Sequence, residues 1–195
     1  VLSLLAVMAL SSVTAYADIA GDGTEETPFL ITNQGELELV TDFPDCNFRL
    51  ENDIQLDGVW TPLCKETSSG NFTGVFDGAG HTISNLVTDG TSGGLFKNNN
   101  GTIKNLNIMI ADTGMKGSGA VADINDGTIS NCVVSGNISG NFSYVGGICA
   151  YNTKTVNQCK YRGNVENTQS GGNAGGICGE NYYSIANCSA EGSIT

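Results

Sequence analysis

Fourteen residues, GGICGENYYSIANC (175–188), restate almost position by position the stretch GGICAYNTKTVNQC found 29 residues earlier at 146–159. A fixed internal period outranks local propensity as a guide to fold, because a repeated unit needs its neighbours in order to bury its apolar side. Three more segments align with these two: GVFDGAGHTISNL (74–86), GLFKNNNGTIKNL (94–106) and GAVADINDGTISNC (119–132). Their central aliphatics are Ile83, Ile103, Ile129, Val156 and Ile185, so the steps are 20, 26, 27 and 29 residues. Each segment closes on Leu86, Leu106, Cys132, Cys159 or Cys188, and Gly90, Gly136, Gly163 and Gly192 each follow such a closing residue by four.

Each unit offers short apolar stretches separated by Gly, Asn, Asp and Thr. Such runs are too short for helices and suit strands. Stacked coils of this length predict an all-β chain, a right-handed parallel β-helix with rungs about 4.8 Å apart. Ile103 and Leu106 are three apart, so a plain strand points them to opposite faces. A left-handed or bulged residue between them turns both inward. Asn85, Asn105, Asn131 and Asn187 occupy that place, with Gln158 as the exception, and a stacked amide ladder is expected there.

The flanking sequence divides the chain. Residues 1–17, VLSLLAVMALSSVTAYA, are apolar and uncharged and end in Ala15-Tyr16-Ala17, the small-residue pattern of a signal-peptidase site. They read as a secretory leader incomplete at its start, and no membrane insertion is expected after its removal. Residues 18–56 read as an N-terminal cap, with one short helix near Glu36–Val40. Residues 57–195 read as the repeat array, incomplete at its C-terminal end.

These segments resemble a known family. GDGTEETPFLI, LENDIQLDGVWTPL, FTGVFDGAGHTISNL and GGICGENYYSIANC look like the GLUG-repeat family of bacterial exported surface proteins. Similar segments occur in the non-catalytic N-terminal region of bacterial IgA-specific metallopeptidases. The resemblance implies a secreted or cell-surface protein whose repeats supply no catalytic residues. A stalk or adhesion-type scaffold, with a host surface protein or a glycan as partner, is the function it suggests. The alternatives are the leader region of a larger secreted metallopeptidase or a polysaccharide-acting β-helix.

A net charge of −12 with only eight Lys plus Arg argues against a nucleic-acid partner. The position that accepts Leu86, Leu106, Cys132, Cys159 and Cys188 is an apolar packing site, where a thiol packs as a small hydrophobe. Cys149 and Cys178 align with Phe76, Phe96 and Val121 and are read the same way. Cys46 and Cys64 lie outside the repeat and form the better candidate disulfide. No CxxC or HxxxH spacing suggests zinc. The one histidine, His81, sits in a turn that Asp77 is expected to cap, where the resembling family has the same residue type. The acidic loop with Asp22, Glu25 and Glu26 lacks the full EF-hand and nonapeptide calcium patterns, and Asp112, Asp123 and Asp126 could line a groove on the flank, where paired carboxylates hydrolyse a glycoside only at a defined separation. Asn71, Asn100, Asn137, Asn141 and Asn187 fit the glycosylation tripeptide, as expected by chance in a chain so rich in Asn, Ser and Thr. No catalytic residue, cofactor or metal is therefore expected in this segment.

Overall fold

The computed structural model describes residues 19–65, 70–91 and 93–195. The leader assigned to residues 1–17 lies outside them. Regular structure is almost entirely short strands, from two residues (Ile54–Gln55) to five (Thr82–Leu86). They build parallel sheets of seven, six, five, three and two strands, and after the first two, Phe29–Ile31 and Phe48–Leu50, strands adjacent in sequence belong to different sheets. The chain therefore winds as a parallel β-helix. One coil runs through Cys149–Asn152, Thr155–Asn157, Lys160–Arg162, Val165–Asn167 and Asn173–Gly175. It then returns to Cys178–Asn181, which pairs with Cys149–Asn152.

Parallel register stacks like upon like, and this is where the repeat acquires physical meaning. In the seven-stranded sheet Phe29, Phe48, Phe76, Ile103, Ile129, Val156 and Ile185 form one column. Five of them, Phe48 to Val156, are fully buried. Each such side chain contributes on the order of 1.5–3 kcal/mol of burial. A second column, in the six-stranded sheet, holds Ile54, Ile83, Ile108, Val134, Tyr161 and Ala190. A third, in the three-stranded sheet, holds Met115, Ile138 and Val165, with Ile194 bridged to Val165.

The columns correct the first aligned segment. Ile83 is not in the column of Ile103 but one sheet further on, and Phe76 takes its place. Leu86 correspondingly pairs with Ile110 rather than stacking on Leu106. The cause is the turn after Asp77, where Ala79 and Gly80 take positive φ (50° and 85°) and carry the chain round the corner early. Thr82-Ile83 thus reaches the next sheet, where its pattern fits equally well. Gly136, Gly163 and Gly192 do stack at one bend. A Cβ on Gly163 would lie 1.9 Å from the Gly136 carbonyl oxygen, and one on Gly192 would meet Gly163 in the same way. Gly90 stands apart, beside Lys116.

The solenoid begins inside the segment read as the cap, since Phe29–Ile31 and Phe48–Leu50 are rungs of the seven-stranded sheet. Between them lies the helix Gln34–Glu38 with a 3-10 turn at Leu39–Thr41. Asn33 caps the helix by accepting from the Glu36 N–H at 3.1 Å, and Glu36 reaches back to the Thr32 N–H. Leu37 and Val40 enter the common core.

Candidate functional surface

The corner after the seven-stranded sheet behaves as its asparagines suggest. Asn105, Asn131, Gln158 and Asn187 all have φ between 51° and 55°. A ladder runs along the corner: Asn131 donates to Asn105 Oδ1, and Asn105 donates to Asp77 Oδ1, both at 2.9 Å. It breaks at Gln158, and Asn187 donates instead to Asn157. Asn85 shares the left-handed backbone (φ 62°) but stands in the six-stranded sheet, bonded to the Leu56 carbonyl.

A second amide ladder escaped the sequence reading. Asn99 donates to Asn125, Asn125 to Asn152 and Asn152 to Asn181, at 2.7, 2.7 and 2.6 Å. Asn99, Asn125 and Asn152 are completely buried. Each of their side-chain N–H groups also meets a backbone carbonyl of the coil beyond, those of Thr128, Thr155 and Ser184. The signal was present, because each of the four lies four residues before its central aliphatic.

The thiols are interior fillers. Leu106, Cys132 and Cys159 are fully buried and Cys188 is half-buried. Cys159 N–H donates to Cys188 Sγ. In the five-stranded sheet the column is Phe96, Ala122, Cys149 and Cys178, so Ala122 rather than Val121, and not Phe76, is the equivalent position. Cys149 donates to Cys178 Sγ across 3.7 Å. That bond, with burial, raises the Cys149 thiol well above its ordinary range, and Cys159 is raised by Cys132 and by burial. The expected Cys46–Cys64 disulfide is not formed. Cys46 is a free thiol beside Gly23, whereas Cys64 Sγ faces the Val40 carbonyl and is pushed up to about 12 by burial. Thiols held neutral in this way are poor nucleophiles.

The polar candidates resolve into local structure. Asp77 accepts from the Ala79 N–H at 2.9 Å, as a turn cap does. Its partial burial raises its pKa, but the bonds from Asn105, Ala79 and Lys104 outweigh that and leave it below the ordinary carboxylate range. His81 Nδ1 lies 3.3 Å from Asp53 Oδ1, which also accepts from the Thr82 N–H. That second bond is the main reason Asp53 is held low. Asp22 accepts from Thr24 and Thr27 of its own loop. Asp123 is held by Lys97 and Ser118, and Asp126 accepts from Thr153. Among the described residues no three His, Cys, Asp or Glu side chains are grouped as metal ligands would be.

One outward strip differs from this Asn-, Thr- and Ser-rich surface. Tyr144, Tyr151 and Tyr182 stack with ring centroids 5.6 and 5.3 Å apart. Tyr144 and Tyr151, with Phe142, Ser143, Asp123, Ile124 and Ala150, line a shallow groove of about 300 Å³. Asn173 donates to Glu180 beside it at 2.8 Å. The Tyr182 phenol is held above its usual range by Tyr151 first and Glu180 next.

The coil geometry defines a parallel β-solenoid built from stacked repeats. Residues 170–195 match the family described as "The GLUG motif". The chain is 32% identical to halomucin of Haloquadratum walsbyi (strain DSM 16790 / HBSQ001) over an alignment covering 66% of this chain, but it spans only 2% of halomucin's length. Its fold is similar to the crystal structure of a provisionally named immunoglobulin A1 protease from Bacteroides ovatus. That match has a TM-score of 0.65 and 21% identity over 90% of this chain and 64% of the other.

Proposed function

We propose that the chain is an exported, surface-exposed β-solenoid module that spaces or presents neighbouring parts of a longer protein, and that it has no catalytic activity of its own. The observation that carries this reading is the unbroken column from Phe29 to Ile185, which ties successive coils into one rod. Stacked coils make length, not a closed pocket. Asp22, Asp53, Asp77, Asp123, Asp126 and His81 are engaged in turns, caps and side-chain pairs, and the thiols are buried or half-buried. The similarity to halomucin, and a leader-like segment at 1–17, support placement outside the cell.

Antibodies raised against the folded chain should label intact source cells, and protease added to those cells should remove the epitope. Labelling only after permeabilisation would overturn the surface assignment. Cleavage of a peptide or polysaccharide by the purified chain, lost in His81→Ala or in a single Asp variant, would overturn the non-catalytic one.

A further inference from the structure

Five of the six tyrosines fall between residues 144 and 183, and of these only Tyr161 is buried, leaving Tyr144, Tyr151, Tyr182 and Tyr183. Tyr182 and Tyr183 are 65% and 70% exposed. The outward column of Asp77, Lys104, Ser130 and Asn157, by contrast, carries only polar side chains. Folding gains little from large rings left in water, so a cluster of them on a flank serves an interaction.

We propose that the tyrosine-lined groove binds a neutral glycan chain in extended, twisted form. The proposal rests on the surface-module reading and deepens it by naming the ligand class. Tyrosine rings present flat apolar faces to the C–H faces of pyranose rings, while their hydroxyls bond at the rim. Ring centroids 5.6 and 5.3 Å apart hold the three rings at spacings close to the advance of one sugar unit per ring. Successive rings are inclined to one another by 42° and 44°, so the platform winds rather than lying flat. A single soluble chain can follow it, whereas a flat crystalline face cannot.

The polar rim supplies acceptors suited to sugar hydroxyls. Glu180 accepts from Asn173 through one carboxylate oxygen, Oε2, and Ser143 lies in the groove wall. Charge selects against acidic sugars. Lys97 is neutralised by Asp123, Glu180 stands beside the rings, and the whole chain carries −12. A uronate or sulfated chain would meet like charge, and a neutral one would not.

Native gels containing soluble mixed-linkage β-glucan, galactomannan or dextran, with polygalacturonate and alginate as anionic counterparts, test this with the full chain. At least one neutral polymer should retard migration, and neither anionic one should. Tyr151→Ala should weaken that retardation about tenfold, and Tyr144→Ala and Tyr182→Ala about threefold or more. Met109→Ala, on a different flank, should leave it unchanged. The circular dichroism of each variant should match the parent, so that a loss is not one of folding. No retardation by any neutral polymer, a Tyr151→Ala/Tyr182→Ala variant that binds like the parent, or binding confined to microcrystalline cellulose would overturn the proposal. Tyrosine-dependent capture of a protein without any glycan retardation would also overturn it, while leaving the surface-module reading intact. Loss of surface labelling on cells with glycan binding retained would do the reverse.

Discussion

The first coils and the last coils of this solenoid fill the same columns with opposite chemistry. Around residues 29–96 the interior is aromatic: Phe29, Phe48, Phe72, Phe76 and Phe96 pack ring against ring at 5.1–6.4 Å. Moving along the columns, Phe72 gives way to Asn99, Asn125, Asn152 and Asn181. Phe96 gives way to Ala122, Cys149 and Cys178. The later coils also gain the three- and two-stranded sheets, which begin only at Met115 and Tyr144. Rings fill space without specifying which rung sits on which, because apolar contact has no direction. Amides specify the rung, because a buried N–H that misses its acceptor is costly. One half is held chiefly by volume, the other by register.

The largest expected effect tests the volume half. Phe76→Ala should cost about 3–5 kcal/mol in denaturant unfolding, because its neighbours Phe48 and Ile103 are fixed by their own strands and close only partly on the cavity. A loss below 1 kcal/mol would show that the aromatic coils repack freely.

Next is the register half. Asn125→Ala removes the acceptor of Asn99 and the donor to Asn152, and about 2–3 kcal/mol of stability should go with them. Asn125→Leu should recover little of it, although Leu is nearly isosteric, since the orphaned amides remain. A Leu variant as stable as the parent would erase the distinction between the two halves.

A smaller effect sits at the corner that both halves share. Asn105 has φ 54°, so Asn105→Ala should cost about 1 kcal/mol while Asn105→Gly costs less. Equal losses would place the whole contribution in the side-chain ladder and none in the backbone.

The smallest effect is pH-dependent. Asp77 lies below its unfolded value, so its ionised form adds stability above about pH 4, and that stability is lost as pH falls through the folded value. Asp77→Asn should flatten this acid limb of the melting-temperature profile by lowering the melting temperature slightly at neutral pH and changing it little at low pH. An unchanged limb would mean that other carboxylates carry it.

Much of this was legible in the sequence because a repeat reports its own stacking. The Ile103–Ile129–Val156–Ile185 column and the left-handed Asn105, Asn131 and Asn187 follow from spacing alone. Ile83 was misplaced because Thr-Ile-Ser suits either of two adjacent sheets, and only the turn at Ala79 decides between them. The Asn99 ladder stayed hidden because a buried asparagine and a turn asparagine look alike until their partners are known. The Tyr144–Tyr151–Tyr182 strip was out of reach for another reason. Tyr144 lies in a sheet with no counterpart in the early coils, so no alignment of repeats could bring it beside Tyr151.

The bend at Gly136, Gly163 and Gly192 bears on heredity as well as on shape. Gly163 and Gly192 each leave room only for the glycine carbonyl of the coil before, and Gly136 abuts Ile110 of its preceding coil, so each joint depends on the neighbouring coil alone. A genetic duplication or deletion of one whole coil, such as the 27 residues between Ile129 and Val156, would set glycine on glycine and amide on amide as before. A change of a few residues within a coil would instead drive a side chain into a backbone carbonyl. Such a rod can change length in whole turns over generations while its cross-section stays fixed.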